Sequence, residues 1–159
     1  MGWERIRVMR KYLAVIDETD ESRVALRFAA RRASKTGGTV EIVVLIPPPE
    51  FVQWGGVQAA MEEEARLRAE ALIAQVAGEL MEEMGLRPSI VVEQGDPVSV
   101  VRKVLQERED VAALVLGAAA AGTPGPLVAQ FAGVEAGTLP CPVMIIPGSL
   151  SDEALDRLS

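Results

Sequence analysis

The amino-acid sequence predicts an α/β protein built on one open, doubly wound parallel sheet. Three observations predict it. Five short runs rich in Val, Ile and Leu punctuate the 159 residues, helical patterns alternate with them, and several runs are continuously apolar. Continuous apolar character, as in Val43-Val44-Leu45-Ile46 and Leu114-Val115-Leu116, belongs to strands buried on both faces, the condition of a parallel sheet covered by helices above and below. Such alternation requires right-handed crossovers. No linker, composition shift or internal repeat divides the chain, so one domain is expected over residues 11–148, with an N-terminal extension (1–10) and a C-terminal tail (149–159).

The first strand is expected at Tyr12 to Ile16. Leu26, Ala29, Ala30 and Ala33 then recur at helical spacing, with Thr19 or Asp20 as N-cap and Gly37-Gly38 as the stop. Val40 to Ile46 is the second strand. A long helix from about Gln58 to Met84 would face inward through Met61, Ala65, Ala69, Leu72, Val76 and Leu80, and Gly85 would close it. Its wet side offers Glu62–Arg66 and Glu64–Arg68 as i,i+4 pairs. After the third strand, Ser89 to Glu93, Asp96-Pro97 reads as an N-cap with proline in the first helical position, and Val101, Val104 and Leu105 point inward. Ala112 to Leu116 is the fourth strand. A fourth helix is expected between about Leu127 and Thr138, where alanine and glycine lower the signal, before a fifth strand at Val143 to Ile146. The tail either forms a short helix capped by Ser151 and packed through Leu155 and Leu158, or frays.

Composition narrows the chemistry. There is no histidine and one cysteine, Cys141, which removes His-dependent bases, His-paired nucleophiles, His/Cys zinc sites and any internal disulfide. A net charge of −7 and 4% aromatic residues leave neither a basic stripe nor stacking platforms for nucleic acid. With 49% hydrophobic residues the chain has enough for a core, yet it contains no run long enough to span a membrane and no secretory pattern at its start, so a cytoplasmic location is expected. Arg5, Arg7, Arg10 and Lys11 read as a solvated extension.

In an open α/β sheet ligands bind beyond the carboxyl ends of the strands, at the switch point of the topology. Two loops there are unusual. The first strand ends in Asp17-Glu18-Thr19-Asp20-Glu21-Ser22, and the fourth runs into Gly117-Ala118-Ala119-Ala120-Ala121-Gly122-Thr123-Pro124-Gly125-Pro126. Gly117 to Thr123 has the outline of a phosphate loop, but Thr123 stands where the lysine should follow, and the dinucleotide pattern G-x-G-x-x-G is absent. Asp17 would either accept from a ribose hydroxyl or adenine amine, or cap its own turn; Asp20 and Ser22 read as caps. The Pro47 to Gly56 loop reads equally as a lid, a docking segment or a packed connection, and Cys141 as an inert thiol.

Ala14-Val15-Ile16-Asp17, Ser22-Arg23-Val24-Ala25-Leu26, Val91-Val92-Glu93-Gln94-Gly95-Asp96-Pro97, Leu114-Val115-Leu116-Gly117 and Pro140-Cys141-Pro142-Val143-Met144-Ile145-Ile146-Pro147 together resemble the universal stress protein family. The resemblance implies an adenine-nucleotide α-hydrolase-like three-layer sandwich with strand order 3-2-1-4-5. It also implies a homodimer paired through the last strand, at Val143, Met144, Ile145 and Ile146. In one branch of the family it implies an ATP or AMP site, with adenine near Val44, ribose near Asp17 and phosphates at the Gly117 loop. That branch carries G-x2-G-x9-G-(S/T) after the fourth strand, and here only Gly117 matches. The second glycine falls on Ala120, and the final pair falls on Ala129-Gln130 with one residue too few between. Alanine methyls obstruct phosphate approach and the hydroxyl donor is lost, although Gly122, Gly125 and Gly133 offer a shifted register. The expected function is a regulatory homodimer that acts through an unidentified protein partner and binds ATP weakly or not at all. The alternative is an ATP- or AMP-binding sensor of stress. Hydrolysis is not expected, because the loop lacks a lysine, an arginine clamp and a metal-binding acid pair.

Overall fold

The computed structural model describes residues 9–46 and 55–159. In chain order these form β1 (Lys11–Ile16), α1 (Asp20–Thr36), β2 (Thr39–Ile46), α2 (Gly55–Met84), β3 (Ser89–Gln94), α3 (Pro97–Glu107), β4 (Val111–Ala118), α4 (Pro126–Ala129), a π-helical turn (Gln130–Val134), β5 (Val143–Pro147) and α5 (Asp152–Leu158). The strands pair in parallel in the order β3-β2-β1-β4-β5, which is the order expected. Side chains alternate across a strand, so β1 divides the core in two. Tyr12, Ala14 and Ile16 meet α1, α2 and α5, whereas Leu13 and Val15 meet α3 and Phe131 of the π-helical turn. The result is three layers.

Local signals explain most boundaries. Gly37 (φ 69°) and Gly85 (φ 64°) end α1 and α2 in the left-handed region that other residues enter only with strain. Asp96 caps α3 by accepting from the Ser99 backbone N–H (3.0 Å) and hydroxyl (2.9 Å), and these bonds hold its carboxyl below the usual range.

Four sequence expectations are corrected. The fourth helix does not run to Thr138: α4 is one turn, and the Glu135 N–H reaches back five residues to the Gln130 carbonyl (2.9 Å). Gly133, with Phe131 and Val134 beside it, weakens the helix preference and concedes this wider turn to tertiary packing, which buries Phe131 completely and draws the Glu135 carboxylate to Arg102. The ion pairs on α2 also differ. Arg66 bonds Glu63 and Glu70, and Arg68 approaches Glu18 on the β1–α1 loop instead of Glu64. Met61 is exposed, because a helix of 30 residues is about 45 Å long and outruns strands of six to eight residues, so its buried face begins only at Ala69. At the C-terminus, α5 is ordered on Ser151, which accepts from the Ala154 N–H (3.1 Å), but only Leu155 is buried and Leu158 is exposed. Arg27 on α1 grips Asp156 of α5 with two nitrogens (3.2 and 3.1 Å), which lowers the pKa of that carboxyl.

The expectations for the extension at residues 1–8 and the loop at 47–54 lie outside the described residues, while Gly55 and Gly56 open α2. Lys11 is the first residue of β1 and pairs with Asp110 (2.9 Å).

Candidate functional site at the switch point

The chain leaves β1 toward β2 and β3 on one side and returns to β4 and β5 on the other, so the crevice beyond β1 is the switch point. Asp17 stands there. Its Oδ1 accepts from the Thr19 backbone N–H (2.8 Å) and from the Thr19 hydroxyl, an Asx-type turn that lifts the chain off the sheet into α1. Thr19 therefore occupies the N-cap position without capping through its side chain. Buried Ser22 locks the same turn by donating to the Thr19 carbonyl (2.8 Å). The two readings of Asp17 are compatible: Oδ1 holds the turn and Oδ2 has no partner among the described residues.

Two cavities meet at this carboxylate. The larger, about 240 Å³, lies between the tips of β1 and β2 and the helix α2, with Val44, Leu45 and Leu72 as apolar wall and Asp17, Glu18, Arg23 and Arg68 at its polar side. The smaller, about 80 Å³, lies between β1, β4 and α4, and its lining includes Asp17, Glu21, Gly117, Gly125 and Leu127. It has no lysine or arginine.

Gly117 has a packing reason to be glycine. A Cβ built there would lie 2.0 Å from the Glu21 carbonyl oxygen, so the end of β4 and the first turn of α1 touch through backbone. Asp17, Val44 and Gly117 thus line the crevice. Ala120 and Gly122 sit on the exposed loop, and Ala129 and Gln130 line neither cavity. The Gln130 amide instead donates to Glu135 (2.8 Å). Of the shifted glycines, Gly125 (φ 108°) reaches the smaller cavity and Gly133 does not.

Two backbone positions at the β4 end offer a ligand no donor. Pro126 opens α4 without an N–H, and the Ala119 N–H is given to the Pro124 carbonyl (3.3 Å). Among the described residues no cluster of acidic, histidine or cysteine side chains is arranged to hold a metal. Cys141 is half-buried against the α3 side of the core, and burial raises its thiol pKa, consistent with an unreactive group.

A family model described as "Universal stress protein family" matches residues 9–147. The chain belongs to the universal stress protein family. The solved structures similar to this universal stress protein include one from Lactobacillus plantarum (16% identity, TM-score 0.70, covering 86% of this chain and 97% of that one). Another is from Archaeoglobus fulgidus (20% identity, TM-score 0.60, 87% and 98%). A third, from Arabidopsis thaliana, was solved with AMP bound (14% identity, TM-score 0.56, 91% and 94%). At these identities the likeness is one of fold. None of the curated proteins matches the chain. The family match ends before α5 (Asp152–Leu158), the helix clasped to α1 by Arg27 and Asp156.

Sequence reasoning overlooked Arg23, Arg68, Leu127 and Val128 at the crevice of this universal stress protein. Arg68 comes from the middle of a helix read only for its own ion pairs, and no local pattern brings it to the tip of β2.

Proposed function

We propose that this universal stress protein is a non-catalytic regulatory homodimer that acts through association with a protein partner and binds ATP weakly or not at all. One observation carries the reading: the end of the crevice where the family branch would hold phosphates is an 80 Å³ cavity bearing two carboxylates, Asp17 and Glu21, and no cationic side chain. A polyphosphate placed there would meet like charge with little to offset it, and the net charge of −7 adds to the repulsion. The homodimer is supported by the outer strand β5, which among the described residues pairs with β4 alone and leaves Ile145 exposed, with Val134 of the π-helical turn 83% exposed. A free apolar strand edge is normally covered. Calorimetric titration with ATP at millimolar concentration tests the first part: no saturable heat is expected, and tight saturation contradicts it. Sedimentation tests the second, with a dimer expected and a monomer at high protein concentration contradicting it.

A second reading, a sensor of an adenine mononucleotide, is favoured by the larger cavity, whose apolar wall and free Asp17 Oδ2 suit a nucleoside body. Structures of this fold from Arabidopsis thaliana and Archaeoglobus fulgidus were solved with AMP and dAMP. Replacement of Asp17 by Ala should then weaken AMP binding, and unchanged affinity contradicts that reading.

A further inference from the structure

Residues 23–36 of α1 carry five basic side chains and no acid, in a chain whose net charge is −7. Arg27, Arg31 and Lys35 stand four residues apart and so share one face of the helix. Glu83 of α2 answers Arg27 from one side (3.2 Å). The rest of that face is taken by α5. Arg27 holds Asp156 with two nitrogens and approaches Asp152 (3.6 Å), while Arg31 pairs with Asp156 (3.0 Å). Lys35 donates to the Asp156 carbonyl and to the Ser159 hydroxyl (2.5 and 3.2 Å).

Little else holds α5. A helix of seven residues is marginal in water by itself, and Leu155 alone of this one is buried. The charged contacts are solvated, with the Asp152 side chain 76% and the Asp156 side chain 37% exposed, and such pairs contribute little each. What the α1 face recognises is therefore visible in its occupant: one leucine anchor set between two carboxylates on a single helical turn, Asp152-x-x-Leu155-Asp156. One anchor and exchangeable ion pairs are also what allows a segment of the same pattern to take the place of α5.

We propose that the face of α1 bearing Arg27, Arg31 and Lys35 is the docking surface for the protein partner, that the partner presents an acidic amphipathic helix of the α5 pattern, and that α5 covers the surface until it is displaced. This rests on the reading above that the protein acts through a partner, and it adds the surface and the partner's chemistry. The acidic character of the partner segment follows from charge complementarity, since residues 23–36 offer no acid to a basic one.

The test uses the full chain and a fluorescein-labelled peptide of residues 149–159, followed by fluorescence anisotropy at low salt, where exposed charges are least screened. In the parent chain the tethered α5 competes at an effective concentration in the millimolar range, so the peptide should bind poorly. Leu155→Ala/Asp156→Asn, with Asp156→Asn alone as a milder variant, loosens α5 and leaves α1 intact; thermal melts confirm that each is folded. The peptide is expected to bind the double variant at least about tenfold more tightly than the parent, because the face is open for a larger fraction of the time. Adding Arg27→Gln and Arg31→Gln should abolish the gain, and a scrambled peptide of the same composition should show none. Hydrogen exchange on the parent chain needs no variant: the α5 amides should exchange by local opening, well ahead of those of β1. Peptide binding that is absent or equal in parent and double variant, equal binding of the scrambled peptide, or exchange of α5 only with global unfolding overturns the proposal. None of these outcomes bears on ATP binding or on the dimer, by which the reading above is tested.

Discussion

Gly117 separates packing from ligand chemistry more sharply than any other position. A methyl group at residue 117 would sit 2.0 Å from the Glu21 carbonyl oxygen and 2.5 Å from its carbon, whereas an ordinary carbon–oxygen contact is about 3.3 Å. The end of β4 and the first turn of α1 would have to part by more than an ångström. That turn is held by the Ser22 hydroxyl, and the Gly148 N–H ties the other flank to the Ala118 carbonyl (2.7 Å), so relief is not free. Overpacking of this kind costs about 1–3 kcal/mol, and Gly117→Ala belongs at the upper end because backbone must move. For a domain of this size each kcal/mol lowers Tm by about 2–4 °C, so a fall of about 6–12 °C is expected, with a lower urea midpoint and an unchanged m-value. The control is Gly133→Ala, where nothing lies within 4 Å of the added methyl and stability should hold or rise slightly. A Gly117→Ala variant within about 0.5 kcal/mol of the parent, measured without ligand, refutes the packing explanation.

Leu155, the fully buried residue of α5, should cost about 2–5 kcal/mol when replaced by Ala, read as a lower urea midpoint; a neutral variant would mean that α5 adds nothing to the core. Arg108→Met strands the Glu41 carboxylate, which is only 3% exposed, and should cost up to about 3–5 kcal/mol, with Glu41→Leu in the same chain restoring much of the loss. Failure of that rescue would show that the pair is not the unit. Arg102 and then the Gln130 amide hold the Glu135 carboxyl down from 4.5 to about 2. A depressed folded-state pKa contributes stability that is complete above pH 4.5 and is lost as pH falls through about 2. The deficit of Glu135→Gln in urea unfolding should therefore shrink between these limits, and a constant deficit contradicts the assignment.

The sheet was legible because its strands are apolar on both faces, which leaves a mark in every run of Val, Ile and Leu. Helix α3 was legible from Asp96-Pro97, since a cap and a proline act within one turn. The π-helical turn was not, because Ala129 to Val134 has no strong preference and Phe131 and Glu135 impose their own geometry through partners on other elements. Glu41 and Arg108 are 67 residues apart in the chain, and nothing near either names the other. At the crevice, Asp17 and Gly117 were found by their place at strand ends. Reading Gly117 only as a phosphate-loop glycine missed the Glu21 carbonyl behind it, a contact that exists only once α1 is laid on the sheet.

The central claim is that this crevice has given up its polyphosphate end. Parallel calorimetric titrations of the purified protein with AMP and ATP, at one salt concentration, test it most directly. AMP binding at least as tightly as ATP, or neither binding, is the expected result. Saturable ATP binding tighter than AMP would contradict it.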